Sequence, residues 1–359
     1  MRALPAPIRG VSKLATSAAV AFAVGGCTAE VEPLDPCLEG ATPELSLLAV
    51  GDTGDHPKLF GWMDQFRVVA SLMADEHVRR PAAALLFLGD NFYSEGLEPH
   101  EAVERIRDNY VTPYCAFVAS DGPRWAEVSE DCAIAASERR PIPIYASLGN
   151  HDYNTDASPK LQRELVPEFI SNWSMPHDLV DVHEIGHGVS LIVADTEALD
   201  RGVDPAPLTE ALRESRGPWR IFVGHHPVSE KDTTFNRAIE SAMRESGAKI
   251  QLLLAGHDHN LQISEPGAPF PSLVAIAGSG SRLRDVRYET RNRKFVLVEP
   301  GFARIDLVGS GDTARLVVSL VQTRGSGADF WSPTRVAACW SVGLDGEVSG
   351  AARDAATGR

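Results

Sequence analysis

Short apolar runs alternate along this chain with stretches whose apolar residues recur at helical spacing. The runs have the length and near-continuous apolar character of buried strands. They are Leu45–Val50, Ala82–Leu88, Ile142–Ser147, Val189–Ala194, Arg220–Val223, Ile250–Ala255 and Ser272–Ala277. Helices are predicted around Phe66 and Ile106 and over Lys160–Trp173, Leu208–Arg216 and Asn236–Glu245. Strands that alternate with helices predict an α/β fold, and further apolar runs beyond residue 290 predict a strand-rich ending.

The N-terminus has the pattern of an export signal. Arg2, Arg9 and Lys13 precede an uncharged apolar stretch that ends in two glycines and Cys27. Small residues before a cysteine resemble a bacterial lipobox, whose cysteine is lipidated; an ordinary signal peptide is the alternative. We predict a lipoprotein signal peptide at 1–26, an acidic, proline-containing tether at 27–43, a folded domain at 44–345 and a flexible tail at 346–359. The predicted location is a bacterial cell envelope, with a lipid anchor at Cys27.

Composition excludes two broad classes of protein. The 359 residues include 34 Lys+Arg and 49 Asp+Glu, which gives a formal net charge of −15. Nucleic-acid binding needs a basic face that neutralises phosphates, so we expect no nucleic-acid partner. No apolar run reaches the roughly 18 residues of a membrane-spanning helix, so an integral membrane protein is not expected.

The cysteines beyond Cys27 form an even set. An exported protein meets an oxidising compartment, and Cys37, Cys115, Cys132 and Cys339 then predict two disulfides. Of the possible pairings we favour Cys115–Cys132, which closes a short loop, and Cys37–Cys339, which ties the start of the domain to its last strand.

Polar clusters follow five of the predicted strands. They are Gly51–Gly54, Gly89–Tyr93, Gly149–Asp152, Gly224–Pro227 and Gly256–Asn260. A glycine lets the chain turn sharply, and the next side chain then projects over the carboxyl edge of the sheet, where α/β sheets bind ligands. Carboxylates, an amide oxygen, imidazoles and a phenol meeting there suit two ions of iron, manganese or zinc. One such cluster would be an ordinary turn, but the set predicts a metal site.

The motifs resemble those of the calcineurin-like metallophosphoesterases and, among them, the purple acid phosphatases. Most of that superfamily has Asp-x-His in the first motif, whereas this chain has Gly54, as purple acid phosphatases do. Those enzymes supply the missing ligand as the tyrosine of Gly-Asp-x-x-Tyr, the pattern of Gly89–Tyr93. The runs that start at Gly224 and Gly256 look most like the short, tartrate-resistant branch. The resemblance covers about residues 45–280 and implies a four-layer α/β/β/α sandwich.

The resemblance also implies a role for each motif residue. Asp52, Tyr93 and His259 would bind Fe(III), Asn150, His225 and His257 would bind iron, zinc or manganese, and Asp90 would bridge the two ions. A bridging carboxylate can hold two cations about 3.5–4 Å apart. Hydroxide formed on the metals would attack a phosphate monoester of a small molecule or a protein. His151 would protonate the leaving group or stabilise the transition state.

One departure leaves the acid and the substrate range open. The short branch has a further active-site histidine nine residues after the position of His225, and here that position is Thr234. His226 could replace it or could simply pack beside Pro227. A phosphodiesterase or phospholipase-like hydrolase is therefore the alternative function. A catalytically silent binding lipoprotein is a third, which the complete ligand set opposes. The natural substrate, the second metal and the oligomeric state stay open.

Overall fold

The chain folds around two mixed β-sheets. The computed structural model describes residues 36–56, 65–286, 290–323 and 335–352. In chain order the strands are β1 (Leu45–Val50), β2 (Ala84–Leu88), β3 (Ile144–Ser147), β4 (Trp173–Ser174), β5 (Val180–Glu184), β6 (Val189–Ala194), β7 (Trp219–Val223), β8 (Leu252–Ala255), β9 (Leu261–Ser264), β10 (Leu273–Ala277), β11 (Arg293–Leu297), β12 (Gly301–Val308), β13 (Arg315–Gln322), β14 (Arg335–Gly343) and β15 (Val348–Ala352). The α-helices are α1 (Gln65–Arg79), α2 (Ala102–Ile106), α3 (Ser158–Glu164), α4 (Val166–Phe169), α5 (Thr196–Asp200), α6 (Ala206–Glu214) and α7 (Thr234–Ser246).

Parallel strands form one half of the first sheet and the centre of the second. The first sheet has the order β15-β14-β13-β12-β1-β2-β3-β4, and the second has the order β11-β9-β10-β8-β7-β6-β5. Strands β1, β2 and β3 run parallel to one another, as do β6, β7, β8 and β10. The strand-rich ending completes the first sheet, because β12 pairs antiparallel with β1 and brings Ala303 beside Ala49. The carboxyl ends of the parallel strands carry the polar clusters.

Alternating side chains along β1 show why the strands are apolar on both faces. Leu47 and Ala49 belong to the core between the sheets, together with Leu191 and Val193 of β6. Leu48 belongs to the opposite core, under α1 and α2. A third core lies between the second sheet and helices α5, α6 and α7. Each leucine buried in this way contributes about 1.5–3 kcal/mol relative to an exposed one. The predicted four-layer α/β/β/α sandwich is confirmed.

Helix α7 has clear local signals at both ends. The Thr233 hydroxyl accepts a hydrogen bond from the amide of Asn236 at 3.0 Å, which caps the first turn. Gly247 ends the helix with a left-handed φ of 69°. Thr234, where the short branch has a histidine, is therefore the first residue of this helix.

Both favoured disulfides are present. The bond between Cys37 and Cys339 joins residues 302 positions apart and fastens the segment before β1 to β14. The bond between Cys115 and Cys132 closes a loop with a sequence separation of 17. Cys37 and Leu38 are buried against the first sheet, so the end of the predicted tether is part of the folded domain.

Several elements differ from the sequence prediction. Strand β15 pairs with β14, so residues 348–352 of the predicted flexible tail form an exposed edge strand. Strands β5 and β9 were not predicted, because β5 is an edge strand with alternating polar residues and β9 buries Gln262 and Ser264. The predicted signal peptide with Cys27, the tether up to residue 35 and the tail beyond residue 352 lie outside the described residues. Within the described ranges, no helix has the length and apolar character to cross a membrane.

Candidate metal centre

Backbone hydrogen bonds join the polar clusters that follow β1 and β2. The amide of Asp52 donates to the carbonyl of Gly89 at 3.0 Å, and the amide of Gly54 donates to that of Asp90 at 3.1 Å. The amide of Tyr93 donates in turn to the carbonyl of Gly54 at 2.8 Å. The two loops therefore form one unit, which holds the carboxylate of the first motif against the side chains of the second.

Gly54 lies where no side chain has room. A Cβ atom at this position would be 2.5 Å from the amide nitrogen of Phe92 and 2.7 Å from the carbonyl carbon of Asn91. The backbone of the second motif fills the space that a histidine would need. The same close approach brings Tyr93 to the site, so the glycine and the phenol depend on each other.

Asp52, Tyr93 and His259 form the part of the site that we call the acidic end. The Tyr93 hydroxyl donates to Oδ1 of Asp52 at 2.8 Å and lies 3.1 Å from Nε2 of His259. The same Nε2 lies 3.3 Å from Oδ1 of Asp52. All three side chains are buried. A carboxylate, a phenol and an imidazole thus meet at one point.

Asn150, His225 and His257 form a second group, the neutral end. Oδ1 of Asn150 lies 3.2 Å from Nε2 of His225 and 3.1 Å from Nδ1 of His257, and these two ring nitrogens are 3.3 Å apart. Nδ1 of His225 donates to the carbonyl of Leu88 at 2.8 Å. That bond fixes the ring and leaves Nε2 as the atom that faces the group.

Asp90 connects the two ends. Its Oδ1 lies 3.5 Å from Nε2 of His225 and accepts a hydrogen bond from the amide of His151 at 2.9 Å. Asp52, Asp90 and His259 each offer a ligand atom within 4.8 Å of the others. Asp90 therefore reaches both groups, as a shared ligand must.

Three of these residues have left-handed backbone conformations. The φ angles are 57° for Asp52, 53° for Asp90 and 70° for His257. Such angles are uncommon for residues other than glycine and cost roughly 1–3 kcal/mol each. The surrounding hydrogen bonds hold the sharp turns that aim these side chains over the sheet edge.

Burial and neighbouring charges shift the pKa values of the side chains differently at the two ends. Burial alone would raise the pKa of Asp52, but the hydrogen bond and charge of His259 outweigh it and lower that pKa. Burial and the neighbouring Asp52 and Asp90 raise the pKa of the Tyr93 phenol well above its usual value. Burial and His225 lower the pKa of His257 to about 3, so its imidazole is neutral at ordinary pH. Burial alone would lower the pKa of His225, but the charges of Asp90 and Asp52 outweigh it and raise that pKa. Within the neutral end, the imidazole of His257 and the amide oxygen of Asn150 therefore offer uncharged lone pairs to a cation.

The order of these clusters matches a known family. The sequence model of the calcineurin-like phosphoesterases matches residues 45–261, which is more than half of the chain and includes every polar cluster described above. The chain belongs to the calcineurin-like phosphoesterase family.

Purple acid phosphatases are among the relatives of this calcineurin-like phosphoesterase. Human tartrate-resistant acid phosphatase type 5 is 25% identical over 255 residues, covering 62% of this chain and 70% of its own. Purple acid phosphatase 17 of Arabidopsis thaliana is 29% identical over 281 residues, covering 70% and 73%. The solved structure of PhoD covers 89% of this chain and 73% of its own with a TM-score of 0.53 at 12% identity, a likeness of fold. The protein is a hydrolase of phosphoric ester bonds, and its relatives imply a site for two metal ions.

His151 lies beside the acidic end without joining it. Its ring meets that of Tyr93 edge to face at 4.7 Å, and Nδ1 lies 2.7 Å from the carbonyl oxygen of Ser94. The ring is only partly buried. The ring therefore lines the edge of the site beside Tyr93.

His226 packs behind the neutral end. Its ring centre lies 4.8 Å from that of His257, while its nitrogens lie 3.1 Å from the Thr196 hydroxyl and 3.4 Å from Glu197. Burial lowers the pKa of His226 well below its usual value, and the neighbouring imidazoles of His225 and His257 lower it further. The residue supports His257 from the protein side.

Asp152 organises the site although sequence reasoning gave it no role. Its carboxylate accepts hydrogen bonds from the amides of Asn91, Phe92 and Gly149 at 2.9–3.1 Å and from the side chain of Gln162 at 2.8 Å. Burial and the charge of Asp90 raise the pKa of Asp152 to about 7. The sequence signal that could have identified Asp152 is its place directly after Asn150 and His151 in the third polar cluster.

Arg105 is a second residue that sequence reasoning missed. This buried guanidinium donates to the carbonyls of Tyr93 at 3.0 Å and Gly54 at 2.8 Å, and to Oδ1 of Asn109 at 3.0 Å. It therefore ties together the two loops that carry the acidic end. Its position on α2, away from every strand end, gave no signal in the sequence.

Proposed function

We propose that this protein is a dinuclear-metal phosphatase of the purple acid phosphatase type that hydrolyses phosphate monoesters. The observation that carries the proposal is the Tyr93 hydroxyl, which lies within hydrogen-bond distance of both Asp52 and His259. The first motif has no histidine, and Gly54 has no room for one. The phenol is the donor that takes the place of the missing imidazole.

The chemistry of the donors fits two different ions. Carboxylate and phenolate are hard, negative ligands and suit a trivalent ion, whereas an amide oxygen and two imidazoles suit a divalent one. Asp52, Tyr93 and His259 would hold Fe(III), Asn150, His225 and His257 would hold iron, zinc or manganese, and Asp90 would be shared. When bound, the ions neutralise the phosphate oxygens and activate the water that attacks phosphorus.

His151 would carry the proton that the leaving group needs. A carbonyl can only accept a hydrogen bond, so Nδ1 of His151 donates to Ser94 and Nε2 is the atom left to exchange a proton. The Asn154 side chain donates to the same carbonyl at 2.8 Å and holds it in place. A protonated imidazole in this orientation can deliver a proton to the departing alkoxide.

Metal analysis combined with turnover tests the proposal. The purified protein should contain iron, should be violet when oxidised because a phenolate donates electron density to Fe(III), and should hydrolyse aryl and alkyl phosphate monoesters faster than diesters. An active protein that is colourless under oxidising conditions and contains no iron would contradict the purple acid phosphatase assignment. Faster turnover of diesters would favour the phosphodiesterase alternative.

We also propose that the enzyme is exported and held at a bacterial membrane by a lipid on Cys27. The support is the basic and apolar pattern of residues 1–26 before that cysteine, together with disulfides suited to an oxidising compartment. Cys27→Ala should release the enzyme from the membrane fraction or block its processing. Unchanged membrane association of the variant would contradict the anchor.

A further inference from the structure

Arg282 holds a guanidinium group beside the acidic end. Its Cζ lies 4.3 Å from the centre of the Tyr93 ring, and Nη2 donates to Oδ1 of Asp55 at 2.7 Å. An aromatic face on one side and a carboxylate on the other restrict the orientation of the group. A positive charge is therefore held next to the residues that would bind the metals.

The backbone around Arg282 is tied to two of the candidate metal ligands. The amide of Ser281 donates to the carbonyl of Asp52 at 2.9 Å, and the Ser281 hydroxyl donates to the same oxygen. The amide of Arg284 donates to the carbonyl of His259 at 3.1 Å. Arg282 thus sits between two anchored neighbours, and its position is coupled to that of the ligands, as a preorganised binding group requires.

Arg282 keeps most of its hydrogen-bonding capacity. A guanidinium has five N–H donors, yet among the described residues only Nη2 has a protein acceptor. The side chain is 37% exposed, so the other donors can reach a bound molecule. The chain as a whole has a net charge of −15, which repels anions. A cation held at the site would offset this repulsion for a bound phosphate.

We propose that Arg282 is a specificity-determining residue that binds the phosphate of monoesters and disfavours diesters. A phosphate monoester has a second pKa near 6 and so has about two negative charges and three unesterified oxygens at neutral pH. A diester has one charge and two such oxygens. The guanidinium binds the additional charge and oxygen through planar, charge-assisted hydrogen bonds. This inference rests on the proposed phosphatase function and names the class of ester that the site selects.

The test measures binding and turnover in the metal-loaded enzyme. Inorganic phosphate is titrated calorimetrically into the wild type, Arg282→Gln, Arg282→Lys and Arg201→Gln. Arg201 is the matched control, because its guanidinium lies 4.9 Å from the Tyr153 ring and is paired with Glu197. The kcat/KM values of a nitrophenyl monoester and the corresponding diester are measured on the same samples.

Arg282→Gln should weaken phosphate binding about tenfold to hundredfold, the effect of losing a charged hydrogen bond. It should also lower the monoester-to-diester ratio of kcat/KM at least about tenfold. The phosphate affinity and the ester ratio of Arg282→Lys should lie between those of the wild type and of Arg282→Gln, because the charge remains but the planar guanidinium is lost. Arg201→Gln should change neither quantity more than about twofold, because this guanidinium is half-exposed and lies on Tyr153 and Glu197 rather than on a residue that would bind a metal.

The outcomes separate the inference from the function on which it rests. Turnover with unchanged phosphate affinity and an unchanged ester ratio in Arg282→Gln would overturn the role of Arg282 and leave the phosphatase standing. A wild type that turns over neither ester would overturn the proposed function, and the phosphate affinities alone would then decide whether Arg282 binds the anion. If Arg282→Gln folds poorly, Asp55→Asn provides a second test, because it removes the ion-pair partner of the guanidinium and leaves the guanidinium in place. Asp55→Asn should lower phosphate affinity and the ester ratio less than Arg282→Gln does.

Discussion

The acidic and neutral ends of the centre use different means to gather their side chains. At the acidic end, the Tyr93 hydroxyl donates directly to Asp52, and burial keeps the proton on the phenol. At the neutral end, Nδ1 of His257 and Nε2 of His225 both lie close to the uncharged amide oxygen of Asn150. An ion entering the acidic end must displace the phenol proton of Tyr93, whereas at the neutral end the imidazole of His257, whose pKa is lowered to about 3, already offers a free lone pair. The comparison shows that the protonation of the ligands, as well as their geometry, distinguishes the two ends of the site.

The largest effect is expected from the residue that both ends share. Asp90→Asn removes a negative, two-oxygen ligand, so both ions should be held less firmly and kcat/KM should fall by about 10⁴-fold or more, since each ion supplies several kcal/mol to the transition state. Metal content by mass spectrometry and monoester turnover measure this. Asp181→Asn on edge strand β5 is the control, and full metal content in Asp90→Asn would refute the bridging role.

His151 lies outside both ends, and its loss should leave both metals in place. His151→Ala should lower kcat by about 10²–10⁴-fold, the usual contribution of a general acid. The loss should shrink for esters whose leaving group needs no proton. Turnover of a series of phenyl phosphates with graded leaving groups checks this. A uniform loss across the series would instead assign His151 to charge stabilisation.

Tyr93→Phe should change the acidic end and leave the neutral end intact. The variant keeps the buried ring and loses only the oxygen, so the violet colour should disappear and iron should be held less firmly, with a loss of turnover of about tenfold if one charged interaction is removed. The absorption spectrum and iron content of the oxidised protein are the measurements. His257→Ala is the matched variant at the neutral end, and it should keep the colour while losing the second ion. Retained colour in Tyr93→Phe would refute the assignment.

The smallest effect is expected behind the neutral end. His226→Gln keeps a polar side chain beside Thr196 and Glu197 and should lower kcat/KM by about tenfold, the lower end of the range for residues that support a metal ligand. Affinity for the second ion is the decisive measurement, because a supporting residue affects it first. A large loss of kcat with unchanged metal affinity would instead make His226 the replacement for the histidine absent at Thr234.

The chemistry of the site was predictable from the sequence because it follows strand ends. Asp52 and Asp90 each follow an apolar run after a single glycine, and neighbouring parallel strands bring their carboxyl ends together. The position of β12 was not predictable, since local pattern cannot reveal that Ala303 pairs with Ala49. The position of Arg282 at the site was also not predictable, because it depends on contact with the ring of Tyr93, which is distant in the sequence.

The disulfide between Cys37 and Cys339 joins the segment before β1 to β14, two parts of the chain that are 302 positions apart. A cross-link that closes a long loop restricts the unfolded chain and stabilises the folded one, typically by about 2–4 kcal/mol. Reduction of this bond should therefore lower the free energy of unfolding, while the strand pairing of β12, β13 and β14 remains. An oxidising compartment would then be a condition of the enzyme's stability.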